Sequence, residues 1–321
     1  MRILLAGASG AIGKRLIPLL LRDDHHVIAT TRTPHKLDGL RAAGADPIVM
    51  DALDRDAVMK TVVRAHPDVI VHQMTALTGT VNMKKFDEEF AITNRLRTEG
   101  TAHLLGAAAA AGAHRFVAQS YTGWPNAHDG SLVKSEDDSL DPNPPGAMSR
   151  TLDAIRRLEA MVTGASGLAG LVLRYGTLYG PGTSIAPAGG IVALVRKRRL
   201  PIVGSGAGVW SFTHIDDAAN ATRLATEGGA PGLYNIVDDE PAAVSVWLPE
   251  LAKALGARPP FHLPRWLGRL AIGEAGLSVM EKARGSSNAK AKRTLNWQPI
   301  YATWRDGFRQ GLGPEASTHT A

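Results

Sequence analysis

The chain has 321 residues, 36 basic against 30 acidic side chains for a net charge of +6, and no cysteine. The missing cysteines exclude disulfides, thiolate metal sites and cysteine nucleophiles. No apolar run is long enough to span a bilayer, and no grouping of His, Asp and Glu has metal-ligand spacing, so no metal is expected. The basic excess is not gathered into the mixed basic and aromatic stripe that nucleic-acid binding needs. It suits attraction of an anionic cofactor instead.

In chain order, an apolar strand at Ile3–Ala6 runs into Gly7-Ala-Ser-Gly10-Ala-Ile-Gly13, and a helix is predicted over Ala11–Leu21. A tight strand-to-helix turn aims free backbone N–H groups and a helix N-terminus at one spot, which suits a pyrophosphate. Gly7 makes the turn, Gly10 admits the diphosphate, and Gly13 lets the helix lie on the sheet. Ser9, Ala11 and Ile12 complete the candidate cradle. A first strand starting at residue 2 leaves no room for a secretory signal, so a cytoplasmic protein is expected.

Strands are predicted at Val27–Thr31, Pro47–Met50, Val69–His72, Arg115–Gln119 and Gly170–Arg174. Helices are predicted at His35–Ala43, Arg55–Ala65, Glu88–Ala111 and Ser149–Thr163. Near-continuous apolar strands such as Val69-Ile-Val71 fit a parallel sheet covered on both faces. Right-handed crossovers then give an α/β, Rossmann-like doubly wound parallel sheet. Beyond Arg174 the pattern is irregular. It contains a helix at Gly190–Arg199, strands at Pro201–Val203, Val209–His214 and Gly232–Val237, and helices at Asp216–Thr226 and Val244–Leu255. The expected division is a nucleotide-binding domain over residues 1–174 and a smaller C-terminal substrate-binding lobe over 175–321. Residues 209–237 are expected to return to the first domain. The tail after Gly311 is expected to fray.

Several ordered features carry a family resemblance. They are the glycine loop, Asp51 after the third strand, Asn94 in the fourth helix, and Ser120 after the fifth strand. Leu173-Arg-Tyr-Gly-Thr-Leu-Tyr-Gly-Pro-Gly182, Phe212-Thr-His-Ile-Asp-Asp217 and Ala291-Lys-Arg-Thr-Leu-Asn-Trp-Gln-Pro299 follow. Together they resemble the extended short-chain dehydrogenase/reductase superfamily, in its NAD-dependent epimerase/dehydratase branch. The resemblance covers nearly the whole chain. It implies that Asp51-Ala52 meets the adenine, that Thr75 and Ala76 back the nicotinamide ribose, that Asn94 ties the fourth helix to the active site, and that Tyr175 borders the cofactor.

The second strand ends in Thr31-Arg32 and lacks the acidic residue that would bind the ribose hydroxyls of NAD. Arg32, aided by Lys36, can pair with a 2′-phosphate. NADP is therefore expected over NAD.

The resemblance also implies a Tyr-x-x-x-Lys pair on the helix after the fifth strand, and here the chain departs from it. None of its five tyrosines is followed four residues later by lysine. Registered on Glu159, Thr151 takes the tyrosine slot and Ile155 the lysine slot. Ser120 matches the family's substrate-polarising serine. Tyr121 is the nearest replacement for the missing phenol, with Tyr179 and Tyr175 as alternatives. Trp124 and Trp210 supply apolar walls. Trp210 stands where sugar-nucleotide enzymes of the family carry a diphosphate-clamping arginine. His214 and Asp216 are expected to hold a turn and cap a helix.

Three readings follow. One is an NADP-dependent oxidoreductase of atypical mechanism, acting on a carbonyl or conjugated C=C of a small uncharged molecule. A second is an epimerase or dehydratase on a non-nucleotide sugar or polyketide-like substrate. The third is a non-catalytic NADP-binding regulator. A homodimer is also open, because Ala107–Ala111 would allow close helix contact.

Overall fold

The computed structural model describes residues 1–77 and 79–313. The expected fraying of the tail beyond residue 313 lies outside the described residues. Seven parallel strands form the central sheet: β1 (Arg2–Ala6), β2 (His26–Thr31), β3 (Asp46–Val49), β4 (Val69–His72), β5 (Arg115–Tyr121), β6 (Ala169–Tyr175) and β7 (Gly232–Ile236). Their order is β3-β2-β1-β4-β5-β6-β7. Ile3, Leu4, Val69, Ile70 and Val71 are fully buried, because helices cover both faces of a parallel sheet.

On one face lie α1 (Ala11–Arg22) and a later helix at Ile215–Glu227. They pack Leu16, Ile17 and Ala218 against Leu5, Val71 and Leu173. On the other lie α2 (Arg55–Ala65), α3 (Thr101–Ala111) and α4 (Ser149–Thr163), burying Val58, Leu104, Leu158 and Val162 against Leu4, Ile70 and Val172. Ala107 and Ala108, in the alanine run, are part of this second core, which gives them an internal role. We number the helix Ile215–Glu227 as α5.

The predicted helix over residues 88–111 is instead a broken series: Phe86–Glu89, Ala91–Arg95, a widened π-helical stretch Leu96–Gly100, then α3. Side chains capture its carbonyls. Thr98 Oγ1 donates to Asn94 O at 2.9 Å, Thr101 Oγ1 contacts Leu96 O at 3.4 Å, and His72 Nε2 lies 3.3 Å from the same oxygen. Such competition with the i→i−4 ladder loosens a helix locally.

Of the 209–237 stretch, α5 and β7 return to the sheet. The predicted strand 209–214 does not. It breaks at Ser211, so that Val209–Trp210 pairs antiparallel with Ala242–Ala243 and Phe212–His214 runs parallel to Thr177–Tyr179. The Ser211 carbonyl accepts from Thr177 N, and its hydroxyl accepts from Ser286 N. A third core, around Phe212, Trp247, Trp304 and Phe308, fills this C-terminal part. No described helix is long and apolar enough to cross a membrane.

The C-terminal segment is tied to α5 through Asp217. Its buried carboxylate accepts from Ile300 N at 2.6 Å and Tyr301 N at 3.3 Å. Burial pushes its pKa from the ordinary 3.8 up to about 6, against the pull of those two donors. The folded chain therefore takes up this proton before the unfolded chain does. Stability from Asp217 is greatest below about pH 4 and is lost as pH rises through 6. A shift of this size corresponds to about 3 kcal/mol across the window. Asp217→Asn is expected to flatten the wild-type stability profile between pH 4 and 7 in urea titrations. An unchanged slope would refute the assignment.

Candidate active site

The loop after β1 is shaped by close approach. Gly7 has φ +92°, and a Cβ there would lie 2.6 Å from the Gln73 carbonyl oxygen. A Cβ on Gly13 would lie 2.4 Å from Ala8 O, so α1 rests directly on the loop. Gly10 caps α1 without a side-chain hydrogen bond. The N–H groups of Ala11, Ile12 and Gly13 have no acceptor within the helix. This is an open, positively polarised helix end of the kind that binds phosphate. Ser9 Oγ meets Thr31 Oγ1 at 3.2 Å, and Thr33 N donates to the same oxygen, which fastens the loop to the end of β2.

Arg32 and Lys36 follow on the exposed turn and have no ion-pair or hydrogen-bond partner through their side chains among the described residues. Asp51 is exposed, and one of its oxygens accepts from Leu53 N. Ala52 is buried, and its carbonyl is 3.0 Å from His103 Nδ1. Thr75 is exposed past β4, and Ala76 N donates to Thr93 Oγ1. These positions therefore line the C-terminal ends of β1 to β4, the edge where ligands bind in such sheets.

Farther along that edge, Asn94 Nδ2 donates to Thr151 Oγ1 at 2.9 Å. Thr151 in turn donates to Asp87 at 2.6 Å. Asp87 also accepts from the backbone N–H groups of Arg150 and Thr151, and so caps α4 from another segment. Thr151 and Ile155, the tyrosine and lysine slots, are both fully buried. Their side chains present no free acid or base.

Ser120 is 6 % exposed, and its hydroxyl donates to Glu159 at 2.8 Å. Glu159 is held in a fork by Arg174, with contacts of 2.7 and 2.6 Å. The serine hydrogen is thus directed inward.

Tyr121, next on β5, points to the opposite side and meets Thr177 Oγ1 at 3.1 Å. Burial raises its pKa, and the Thr177 contact opposes only part of that rise. Tyr121 is therefore a neutral phenol at physiological pH. It borders a narrow cleft of about 10 Å³ with Gly123, Trp124, Thr177, Trp210 and Val279. Trp124 packs edge-on against Phe86, and Trp210 lies against Trp247 while donating to Val279 O at 3.1 Å. Both predicted walls and the nearest phenol come together here.

Two other tyrosines do not join them. Tyr179 is fully buried, edge-on to Phe212, His214 and Phe308, and packs in the C-terminal core. A Cβ on Gly307 would collide with its ring. This corrects its placement as an acid or a substrate contact. The Tyr175 hydroxyl is 2.6 Å from Thr222 Oγ1 and accepts from Gln73 Nε2 at 3.0 Å, with the ring in the α1/α5 core. Its side chain braces the sheet. His214 behaves as expected: Nδ1 accepts from Asp216 N as the α5 cap, and Nε2 donates to Gly311 O.

The sequence reading missed Arg97. This residue is 7 % exposed, and its guanidinium contacts Asn94 Oδ1 at 3.5 Å. Its separation of three from Asn94 was the available signal, since helical spacing puts the two on one face. Thr177, the partner of Tyr121, was also missed, and no spacing rule points to it.

A glycine-cradled helix end at the carboxyl edge of a doubly wound sheet defines a dinucleotide-binding oxidoreductase or epimerase fold. The chain belongs to the NAD dependent epimerase/dehydratase family, whose profile matches residues 3–236. It is 47 % identical over 313 residues to the 3-diazoavenalumate denitrifying reductase of a Streptomyces species, covering 96 % of this chain and 99 % of that one. It is 28 % identical to the 2-alkyl-3-oxoalkanoate reductase of Stenotrophomonas maltophilia, over 80 % of this chain and 76 % of that protein. The fold matches UDP-glucose 4-epimerase from Thermotoga maritima, solved with UDP-glucose, at a TM-score of 0.76 and 22 % identity over 97 % of each chain. The chain is thus an enzyme of the NAD(P)-dependent oxidoreductase and epimerase type.

Proposed function

We propose that this chain is an NADP-dependent reductase of atypical mechanism that acts on a flat, conjugated small molecule, with Tyr121 as proton donor. One observation carries the reading. Among the described residues, Tyr121 is the only titratable side chain lining the Trp124/Trp210 cleft, and burial favours its protonated form. An epimerase or dehydratase must first remove a proton and needs a base. A reductase needs a hydride and, at most, an acid. A neutral phenol between two indoles serves the second chemistry and not the first. The bound nicotinamide supplies the hydride. The protein supplies orientation, a dry aromatic wall and one hydrogen-bond donor. Arg32 and Lys36, without a side-chain partner among the described residues and with no carboxylate in Thr31–Lys36 at the end of β2, support the choice of NADP.

The Streptomyces relative's name extends this to a substrate class, a conjugated acid bearing a diazo group. For a neutral diazo compound the reaction balances simply. One hydride and one proton enter, the C–N bond breaks, and dinitrogen leaves with no other oxidant or reductant. Conjugated ketones and simple carbonyls are the competing acceptors.

The test is NADPH oxidation against a panel of aryl diazo acids, enones and ketones, with calorimetric binding in parallel. Turnover should be fastest with the diazo acids. Arg32→Ala should weaken NADPH binding about tenfold or more while leaving NADH binding unchanged. Tyr121→Phe should lower kcat with little change in NADPH affinity. NADPH binding without turnover on the whole panel would instead favour the regulator. Equal affinity for NADH and NADPH would remove the NADP assignment.

A further inference from the structure

A buried cation beside the active site is unused by the reading above. Arg97 sits on the widened stretch Leu96–Gly100 and is 7 % exposed. The carbonyl of Leu96, the residue before it, lies 3.3 Å from His72 Nε2 at the end of β4. Its guanidinium carbon is 5.8 Å from the Phe90 ring centroid, and its one side-chain hydrogen bond among the described residues is the long contact to Asn94. His72 and Glu159 are the titratable groups that feel its charge. Glu159 is already occupied by Arg174 and Ser120 and forms no ion pair with Arg97.

A buried guanidinium without a paired anion is costly, because a charge removed from water needs compensating partners. Nη1 meets Asn94, while Nε and Nη2 have no hydrogen-bond partner among the described residues and are not fully sealed from solvent. One hydrogen-bonded link places that side chain: Asn94 joins Arg97 to Thr151, the tyrosine slot. Ile155, in the lysine slot of the same helix, is apolar and fully buried. The lysine slot of that helix thus holds no cation, and the neighbouring stretch Leu96–Gly100 brings Arg97 to Asn94, the partner of Thr151.

We propose that Arg97 is the cation of this active site, a positioning residue whose guanidinium hydrogen-bonds the hydroxyls of the nicotinamide-side ribose in place of the absent lysine. The assignment rests on the reading that the chain binds a nicotinamide dinucleotide. A forked guanidinium suits two adjacent hydroxyls and keeps its charge at every relevant pH. It fixes the reactive end of the cofactor and makes no contact with the adenosine end.

Calorimetric titration of the full chain with NADPH and with adenosine 2′,5′-bisphosphate separates the two ends. The bisphosphate carries the adenine and the 2′-phosphate but lacks the nicotinamide ribose. Arg97→Met is expected to weaken NADPH binding about tenfold or more and to leave bisphosphate binding within about twofold. Arg97→Lys, which keeps the charge without the fork, should recover part of the NADPH affinity. Undiminished NADPH binding by Arg97→Met, or equal loss of both compounds in both variants, overturns the assignment. Failure of the unsubstituted protein to bind either compound overturns the cofactor reading as well, which distinguishes the two failures.

Discussion

Arg174→Met is expected to destabilise the fold by about 3–5 kcal/mol, the cost typical of leaving one partner of a buried ion pair unpaired. Arg174 and Glu159 are 3 % and 6 % exposed and meet in a two-pronged contact between β6 and α4. Removing the guanidinium leaves a carboxylate in the interior with the Ser120 hydroxyl as its one remaining side-chain donor among the described residues. The double variant Arg174→Met/Glu159→Leu should recover most of the loss, because it removes the charge along with its partner. Ser120 then loses its acceptor, so about 1–3 kcal/mol should remain unrecovered. Urea midpoints with unchanged m-values measure all three chains. A single-variant loss below about 1 kcal/mol would mean that water reaches the pair, and the inward orientation of Ser120 would lose its basis.

That orientation marks where sequence reasoning reached its limit. The helices Arg55–Ala65 and Ser149–Thr163 and the strand Val69–His72 were legible to the residue, because hydrophobic period and length coincide there with tertiary burial. The glycine loop was legible because its spacing has a mechanism. The hydroxyl of Ser120 was not. A motif fixes that a serine stands after β5 but not which way its hydrogen points, and a carboxylate 39 residues later decides that. Residues 86–100 failed for a related reason. Propensity favours one helix, whereas Thr98, Thr101 and His72 converge on its carbonyls from positions that a local window does not pair. Tyr179 lies in a loop motif that resembles a site, but the rings of Phe212 and His214 on one strand and of Phe308 on the C-terminal helix enclose it. Arg97 was overlooked because an arginine on a helix is usually solvated, and only the packing of the widened stretch buries it.

The second large effect is expected from Gly13→Ala. In an open helix this change stabilises by up to about 1 kcal/mol, since alanine is the better helix former. Gly39, in the short helix Leu37–Ala42, is such a place: a Cβ there meets nothing within 4 Å. At Gly13 the same methyl group would lie 2.4 Å from Ala8 O and 2.7 Å from Ala8 C and Cα. All three atoms are backbone, so no side-chain rotation can relieve the clash. Either α1 moves off the loop or the loop opens, and both separate the free N–H groups of Ala11 to Gly13 from the turn at Gly7. Overpacking of this kind costs about 1–3 kcal/mol of stability. Displacement of the phosphate cradle should weaken NADPH binding about a hundredfold, equivalent to about 2.7 kcal/mol. Gly39→Ala should leave affinity unchanged and raise the melting temperature slightly. The paired measurement separates helix propensity from close approach. If Gly13→Ala binds NADPH and melts as Gly39→Ala does, α1 does not rest on the loop, and the phosphate site must lie elsewhere along the sheet edge.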